Sequence, residues 1–305
     1  MSRDVRLCPH AKGSGRQTGR VRVHLVDGTF ELFRCFHGAP RARNAAGDEV
    51  GAVRGLLATL VSLLHEPSVS HVAVAFDSVV APPRSPGRID NEQLIASQVG
   101  LAADAVRALG VVLWPSGRYQ ADEIIAAGAA KFGADPSVDQ VVICSTDNDF
   151  NQCVRGERIV VLDRIRKVLT DETSVRARYG VAPAQLPDLF GLIGDRSDGL
   201  PSVKGWGLKS AATLLQRYGT LAEIPTDERE WDVAVRGATR LAASLRERRL
   251  EALLCRDLAE LRTDLPLPHI LADLEWRGAD RPGVERMCTA VGDDSVIGRI
   301  SRWAA

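Results

Sequence analysis

The stretch Val21-Arg22-Val23-His24-Leu25-Val26-Asp27-Gly28 governs how the rest of the chain is read. It is a short run rich in β-branched side chains that stops on an acid and a glycine, residues suited to turns. The pattern recurs. Val72-Ala73-Val74-Ala75-Phe76 ends at Asp77, and Val141-Val142-Ile143-Cys144 is closely followed by Asp147 and Asp149. Residues 111–114 and 159–162 form two more such runs, and helical spacing fills residues 50–64, 91–109 and 121–132. Short apolar runs alternating with helices predict βαβ units, hence an α/β domain with a parallel sheet flanked by helices. After about residue 170 only helical patterns remain, clearest over 171–178, 184–193 and 208–217, with more helix between 229 and 258. The expected organisation is a disordered basic tail (1–20), an α/β domain (21–170), a helical domain (171–290) and a C-terminal tail (291–305).

Composition sets the outer bounds. Of 305 residues, 45% are hydrophobic and 26% charged, enough for about two packed domains and too apolar for wholesale disorder. No apolar run reaches the ~18 residues of a membrane span and no leader pattern opens the chain, so no membrane association and a cytoplasmic location are expected. Lysine plus arginine (39) balances aspartate plus glutamate (39), so net charge identifies no partner. Six cysteines lie scattered without a C-x-x-C pair, which argues against a zinc site or disulfide scaffold and fits a reducing compartment. The histidines are dispersed, and no serine or cysteine has an evident triad partner.

The acids carry the chemistry. In an open parallel sheet, ligands bind beyond the carboxyl ends of the strands, where Asp27, Asp77, Asp147 and Asp149 fall. Asp122 and Glu123 open a helix, and Asp195 and Asp198 sit in the loop Gly194-Asp195-Arg196-Ser197-Asp198-Gly199. An aspartate after a strand is equally a turn or N-cap residue; a whole series of them at matching topological positions is harder to explain that way. Eight carboxylates within ~10 Å would repel by ~4 kcal/mol per close pair, so protonation or cations must balance them. All-oxygen ligands select magnesium or manganese over zinc, and two such ions are the usual machinery for hydrolysing a phosphodiester.

The ordered series VHLVDG (23–28), VAVAFD (72–77), YQADE (119–123), STDNDF (145–150) and GDRSDGLPSVKGWGLKSAATLL (194–215) resembles the 5′-nuclease superfamily, which includes flap endonucleases and the 5′→3′ exonuclease domain of bacterial DNA polymerase I. The likeness extends from about residue 21 to 267. It implies a PIN-like (resolvase-like) sheet followed by a helical domain with a helix–three-turn–helix element, in a stand-alone, monomeric nuclease. The implied activity is a metal-dependent 5′→3′ exonuclease, with flap endonuclease action on DNA carrying a 5′ end, nick or flap. The implied metal ligands are Asp27, Asp77, Asp122, Glu123, Asp147, Asp149, Asp195 and Asp198, holding two or more Mg²⁺ (or Mn²⁺) ions, with Gln120 at a position where the family usually has glutamate. Arg34 matches a family arginine that contacts the scissile phosphate, and Arg84 stands where the arch carries one. Residues 202–215 resemble the duplex-gripping hairpin, with Lys204, Gly205, Gly207 and Lys209 as DNA contacts and K⁺ bound in the turn.

Two departures stand out. Gln120 removes a charge from the acidic set and Glu123 lengthens an arm. The segment 78–93 is short and proline-rich, with only Arg84 and Arg88 as cations, where the family has a basic, aromatic arch. They motivate an alternative, a catalytically weakened or inactive branched-DNA-binding protein of the same fold. A PIN-type ribonuclease is the third reading.

Overall fold

The computed structural model describes residues 20–77, 89–115, 117–195 and 199–305. Most of the expected basic tail, together with Arg84 and Asp198, lies outside these residues.

Five parallel strands form the centre of the molecule: β1 (Arg22–Asp27), β2 (His71–Phe76), β3 (Val112–Pro115), β4 (Gln140–Cys144) and β5 (Ile159–Asp163). A short sixth strand, β6 (Val168–Thr170), runs antiparallel to β5. The spatial order is β3-β2-β1-β4-β5-β6. The chain therefore builds outward from β1 to one side and then, from β4, to the other, leaving a topological switch point between β1 and β4. That is where an open α/β sheet offers a crevice to ligands.

The two-residue period of the strands divides the core in two. Val23, Leu25, Ala73, Ala75, Val141, Ile143, Ile159 and Val161 face one apolar layer. Val26, Val72, Val74, Phe76, Val142, Cys144 and Val160 face the other. Helices α1 (Gly28–Gly38), α2 (Gly51–Leu64) and α3 (Ile89–Ala108) cover the second face. Helix α4 (Ala121–Ala134) covers the first, its Phe132 stacked against Trp114 of β3 with ring centroids 6.2 Å apart.

The same first layer continues without a break into the helical half. Helices α5 (Glu172–Tyr179), α6 (Leu186–Ile193), α7 (Leu208–Tyr218) and α8 (Ala238–Ala259) follow, with α6 packed against both α7 and α8. Leu189, Leu214 and Leu245 join the cluster that holds Val23 and Phe150. The five described cysteines are free and buried, small apolar side chains rather than cross-links.

One strand went unread inside the expected α/β span: β6 pairs with β5, but Val168 and Leu169 are exposed, so the segment carries no inside–outside alternation to read. Two expectations change. The helix expected from 229 begins only at Ala238, after Gly237 takes a left-handed φ of 78°; before it only Glu228–Glu230 form a 3-10 turn. The chain end is no loose tail. Helix α9 (Arg281–Val291) packs on α3, and Val296, Ile297, Ile300 and Trp303 join the apolar layer over α2 and α3. Arg54 Nε of α2 donates to the Val291 carbonyl at 2.8 Å, and Trp276 Nε1 donates to the Leu109 carbonyl at 2.8 Å. The apolar residues over 291–305 follow no regular period, and their partners lie some 200 positions earlier, beyond the reach of a local pattern.

Trp276 is 6% exposed in this layer. Trp276→Ala removes a large ring and leaves the Leu109 carbonyl unpaired, so it should cost about 3–5 kcal/mol. Urea unfolding should show a lower midpoint with an unchanged slope.

Candidate active site

Asp27 ends β1 and caps α1. Its Oδ1 accepts the Phe30 amide at 2.9 Å and its Oδ2 accepts the Ser145 hydroxyl, which follows β4, at 3.1 Å. The side chain thus spans the switch point. Burial pushes its pKa up to about 7 against the opposing pull of those two hydrogen bonds, and the negative charges of Asp147 and Asp77 add to the rise.

Asp77, just past β2, accepts the Ala121 amide on Oδ1 at 2.7 Å and donates its own amide to Thr29 Oγ1 at 2.8 Å, tying α1, β2 and the start of α4 together. Asp122 lies in the first turn of α4. Burial raises its pKa to about 6, with Asp77, Glu123 and Asp147 contributing in the same sense. Glu123 reaches back to the Gln120 amide at 3.1 Å, a capping interaction, and Gln120 itself is exposed. Asp147 takes the Asp149 amide on Oδ1 at 3.0 Å while its own amide donates to Ser145 Oγ at 3.1 Å.

Asp27, Asp77, Asp122 and Asp147 act on one another across the ends of β1, β2 and β4. Burial raises the Tyr179 phenol, and the charges of Asp195 and Asp149 add to that; Asp149 and Asp122 also act together on Cys153. Asp195, after α6, also accepts the Leu200 amide on its backbone carbonyl at 2.7 Å. Among the described residues, none of the groups acting most strongly on Asp27 and Asp122 is a cation. Carboxylates with raised pKa values facing one another suit a hard divalent cation. Among the described residues, however, no three His, Cys, Asp or Glu side chains are drawn together into a finished metal cage.

Arg34 shows a feature the sequence reading missed. Its Nε donates to Glu31 Oε2 at 3.1 Å and its Nη2 to Thr59 Oγ1 at 3.0 Å, so its guanidinium is held between α1 and α2. Glu31 is 3% exposed and also lies 3.8 Å from Arg164 Nη1. The signal was an acid on the apolar side of α1, three residues before an arginine. Next to the acid-bearing loop, a cleft of about 290 Å³ is lined by Asp147, Asn148, Asp163, Arg166 and Arg178, with Arg178 donating to Asn148 Oδ1 at 3.0 Å. Lys204 and Gly205 lie in the turn after α6, Gly207 caps α7 and Lys209 sits in its first turn, all of them exposed.

A parallel sheet with acids at its switch point, joined to a helical half with a glycine-rich turn, defines a resolvase-like nuclease architecture. Residues 22–180 match the family described as 5′-3′ exonuclease, N-terminal resolvase-like domain, and residues 181–282 match 5′-3′ exonuclease, C-terminal SAM fold. The chain belongs to the 5′-3′ exonuclease family. It is 31% identical over 290 residues to DNA polymerase I of Bacillus caldotenax, covering 91% of this chain and 32% of that protein. With DNA polymerase I of Pseudomonas aeruginosa it shares 33% identity over 260 residues, 80% of this chain and 27% of the relative. It thus spans about a third of the length of these relatives. Among solved structures, T5 5′-exonuclease with bound divalent metal ions (zinc) superposes with a TM-score of 0.62 at 15% identity, over 91% of this chain and 96% of that one. The catalytic core of Rad2 in complex with DNA substrate gives 0.59 at 13% identity, over 89% and 88%. These likenesses carry the fold.

An acid whose pKa rises on folding lowers stability as pH climbs from about 4 towards 7, and the full penalty persists above that. Asp27→Asn removes the charge and keeps one acceptor, Oδ1 for the Phe30 amide, while its Nδ2 would donate to a reoriented Ser145 hydroxyl. In EDTA the variant should melt several degrees above wild type at pH 8 and close to it near pH 4, by differential scanning calorimetry. A variant less stable at both pH values would contradict this assignment of the strain to charge burial.

Proposed function

We propose that the chain is a divalent-metal-dependent 5′→3′ deoxyribonuclease that also cleaves branched DNA at nicks and flaps. The observation that supports it most is the set of mutually repelling carboxylates at the sheet's switch point, buried Asp27 and half-buried Asp77 and Asp122 with exposed Asp147 at their edge. A phosphodiester backbone is itself anionic, so it approaches such a rim only after the rim has been neutralised.

In this reading Asp27, Asp77, Asp122 and Asp147 hold one part of the metal set, and Asp149, Asp195 and Asp198 another, with Glu123 and Gln120 at the edge. Bound there, magnesium or manganese supplies Lewis-acid polarisation of the scissile phosphate and lowers the pKa of attacking water. The chain's own residues provide geometry. Ser145 and the Phe30 amide fix Asp27, the Ala121 amide fixes Asp77, and Ser145 and the Asp149 amide fix the loop bearing Asp147. Glu31 and Thr59 hold the Arg34 guanidinium, whose planar fork suits two phosphate oxygens. Arg84 is assigned to the same phosphate-binding work. Lys204, Lys209 and the bare backbone at Gly205 and Gly207 grip duplex phosphates independently of sequence, with K⁺ seated in the turn. The protein acts as a monomer on cytoplasmic DNA.

With 5′-labelled nicked and flapped duplexes, cleavage should appear with Mg²⁺ or Mn²⁺ and vanish in EDTA. Asp147→Ala should lower the rate by at least about 100-fold, the scale on which losing one electrostatic element of a site costs activity. Gln120→Glu should raise it, since it restores a carboxylate at the rim of α4. Binding of branched DNA without cleavage in either metal would favour the non-catalytic reading, and preferential cutting of labelled RNA the ribonuclease reading.

A further inference from the structure

Arginines are plentiful in the helical half, and most are committed. Arg217 pairs with Asp232, Arg229 with Asp227, Arg246 donates to the Thr226 carbonyl and Arg249 to the Ile224 carbonyl. Four exposed cations at one corner are different. The side chains of Lys204, Lys209, Arg236 and Arg240 make no hydrogen bond, ion pair or ring contact among the described residues. Neither α7 nor α8 has an acid in its first turn, so no internal carboxylate answers the positive ends of these helices.

What brings α8 to this corner is Trp206. Flanked by Gly205 and Gly207, its indole is 7% exposed, meets Trp231 edge-on at 6.4 Å and donates Nε1 to the Leu241 carbonyl at 3.2 Å. The turn is thereby fastened to the first turn of α8. Arg240, next to Leu241, comes to lie across it: a methyl group on Gly205 would stand 3.6 Å from Arg240 Nε, and one on Gly237 3.8 Å from its Nη2. Gly205 has a φ of 87° and Gly237 of 78°, conformations that suit glycine, so the guanidinium overlies two stretches of bare backbone.

We infer that Arg240, with Arg236 beside it, belongs to the surface that binds duplex phosphates, the glycine turn and the start of α8 forming one anion-binding ledge joined through Trp206. The inference rests on the duplex-binding reading above and adds a second element to it. Arg240 is a positioning residue: it seats the duplex and touches no reacting atom.

The test is equilibrium binding of a nicked duplex to the full chain in EDTA, as a function of salt, followed by steady-state cleavage. Arg240→Ala should weaken binding about fivefold near 0.1 M salt and flatten the log–log salt slope by about 0.9, as expected for one lost phosphate contact. Arg240→Lys should keep most of the slope. The cleavage rate at saturating DNA should stay at the wild-type value while KM rises, and melting should be unchanged because the side chain is exposed and partnerless. Arg277→Ala, an exposed arginine paired with Glu275, serves as the control and should change neither affinity nor slope. Wild-type affinity and slope in Arg240→Ala would overturn the inference while leaving the nuclease reading intact. A wild-type chain without salt-dependent duplex binding would instead remove the reading on which it rests.

Discussion

Carboxylate repels carboxylate, and this chain gathers its acids where three parallel strands end. Asp27 is buried and Asp122 half-buried; both are hydrogen-bonded to backbone amides and still pushed towards neutral pKa values, because desolvation and like charges outweigh those bonds. A fold that kept such an arrangement for stability alone would do better with asparagine. The strain is tolerable because the surrounding scaffold is rigid. Backbone amides of α1 and α4 and the hydroxyls of Ser145 and Thr29 fix the acids or the backbone that carries them, so repulsion cannot be relieved by swinging a loop outward.

The rest of the architecture serves that placement. The strand order puts β1 between β2 and β4, the neighbours whose trailing residues carry acids. The helical half is welded to the same apolar layer, which fixes Asp195 relative to Asp149 through Tyr179. The acids at the sheet and the glycine turn are held at a set separation by packing, since α6 contacts both α7 and α8 and its last turn leads directly to Asp195.

The strands β1 to β5 were legible in the sequence because each is a short apolar run between helices, and the acids because they punctuate those runs. What escaped had its partners far away. β6 has exposed side chains and gains its place from β5 alone. Nothing in the sequence around Glu31 marks it out; its burial between Arg34 and Arg164 emerges only in the fold. Trp206 reads as part of a turn, and only the Leu241 carbonyl reveals it as an anchor. The boundary of α8 was misplaced because helix-forming residues precede Gly237, whose left-handed backbone fixes the start. The division at residue 170 follows the loss of strands, whereas the family boundary falls at 180, after α5.

The return of the chain end over α2 and α3 carries a mechanical consequence. The helical half leaves the sheet through the segment after β6 and comes back through Trp276 to be pinned at Leu109 and Arg54. It is therefore an excursion clamped at both ends, not an appendage on a single tether. An excised sheet domain would lose the lid over its own second face, so the halves are separable in sequence but not as folding units.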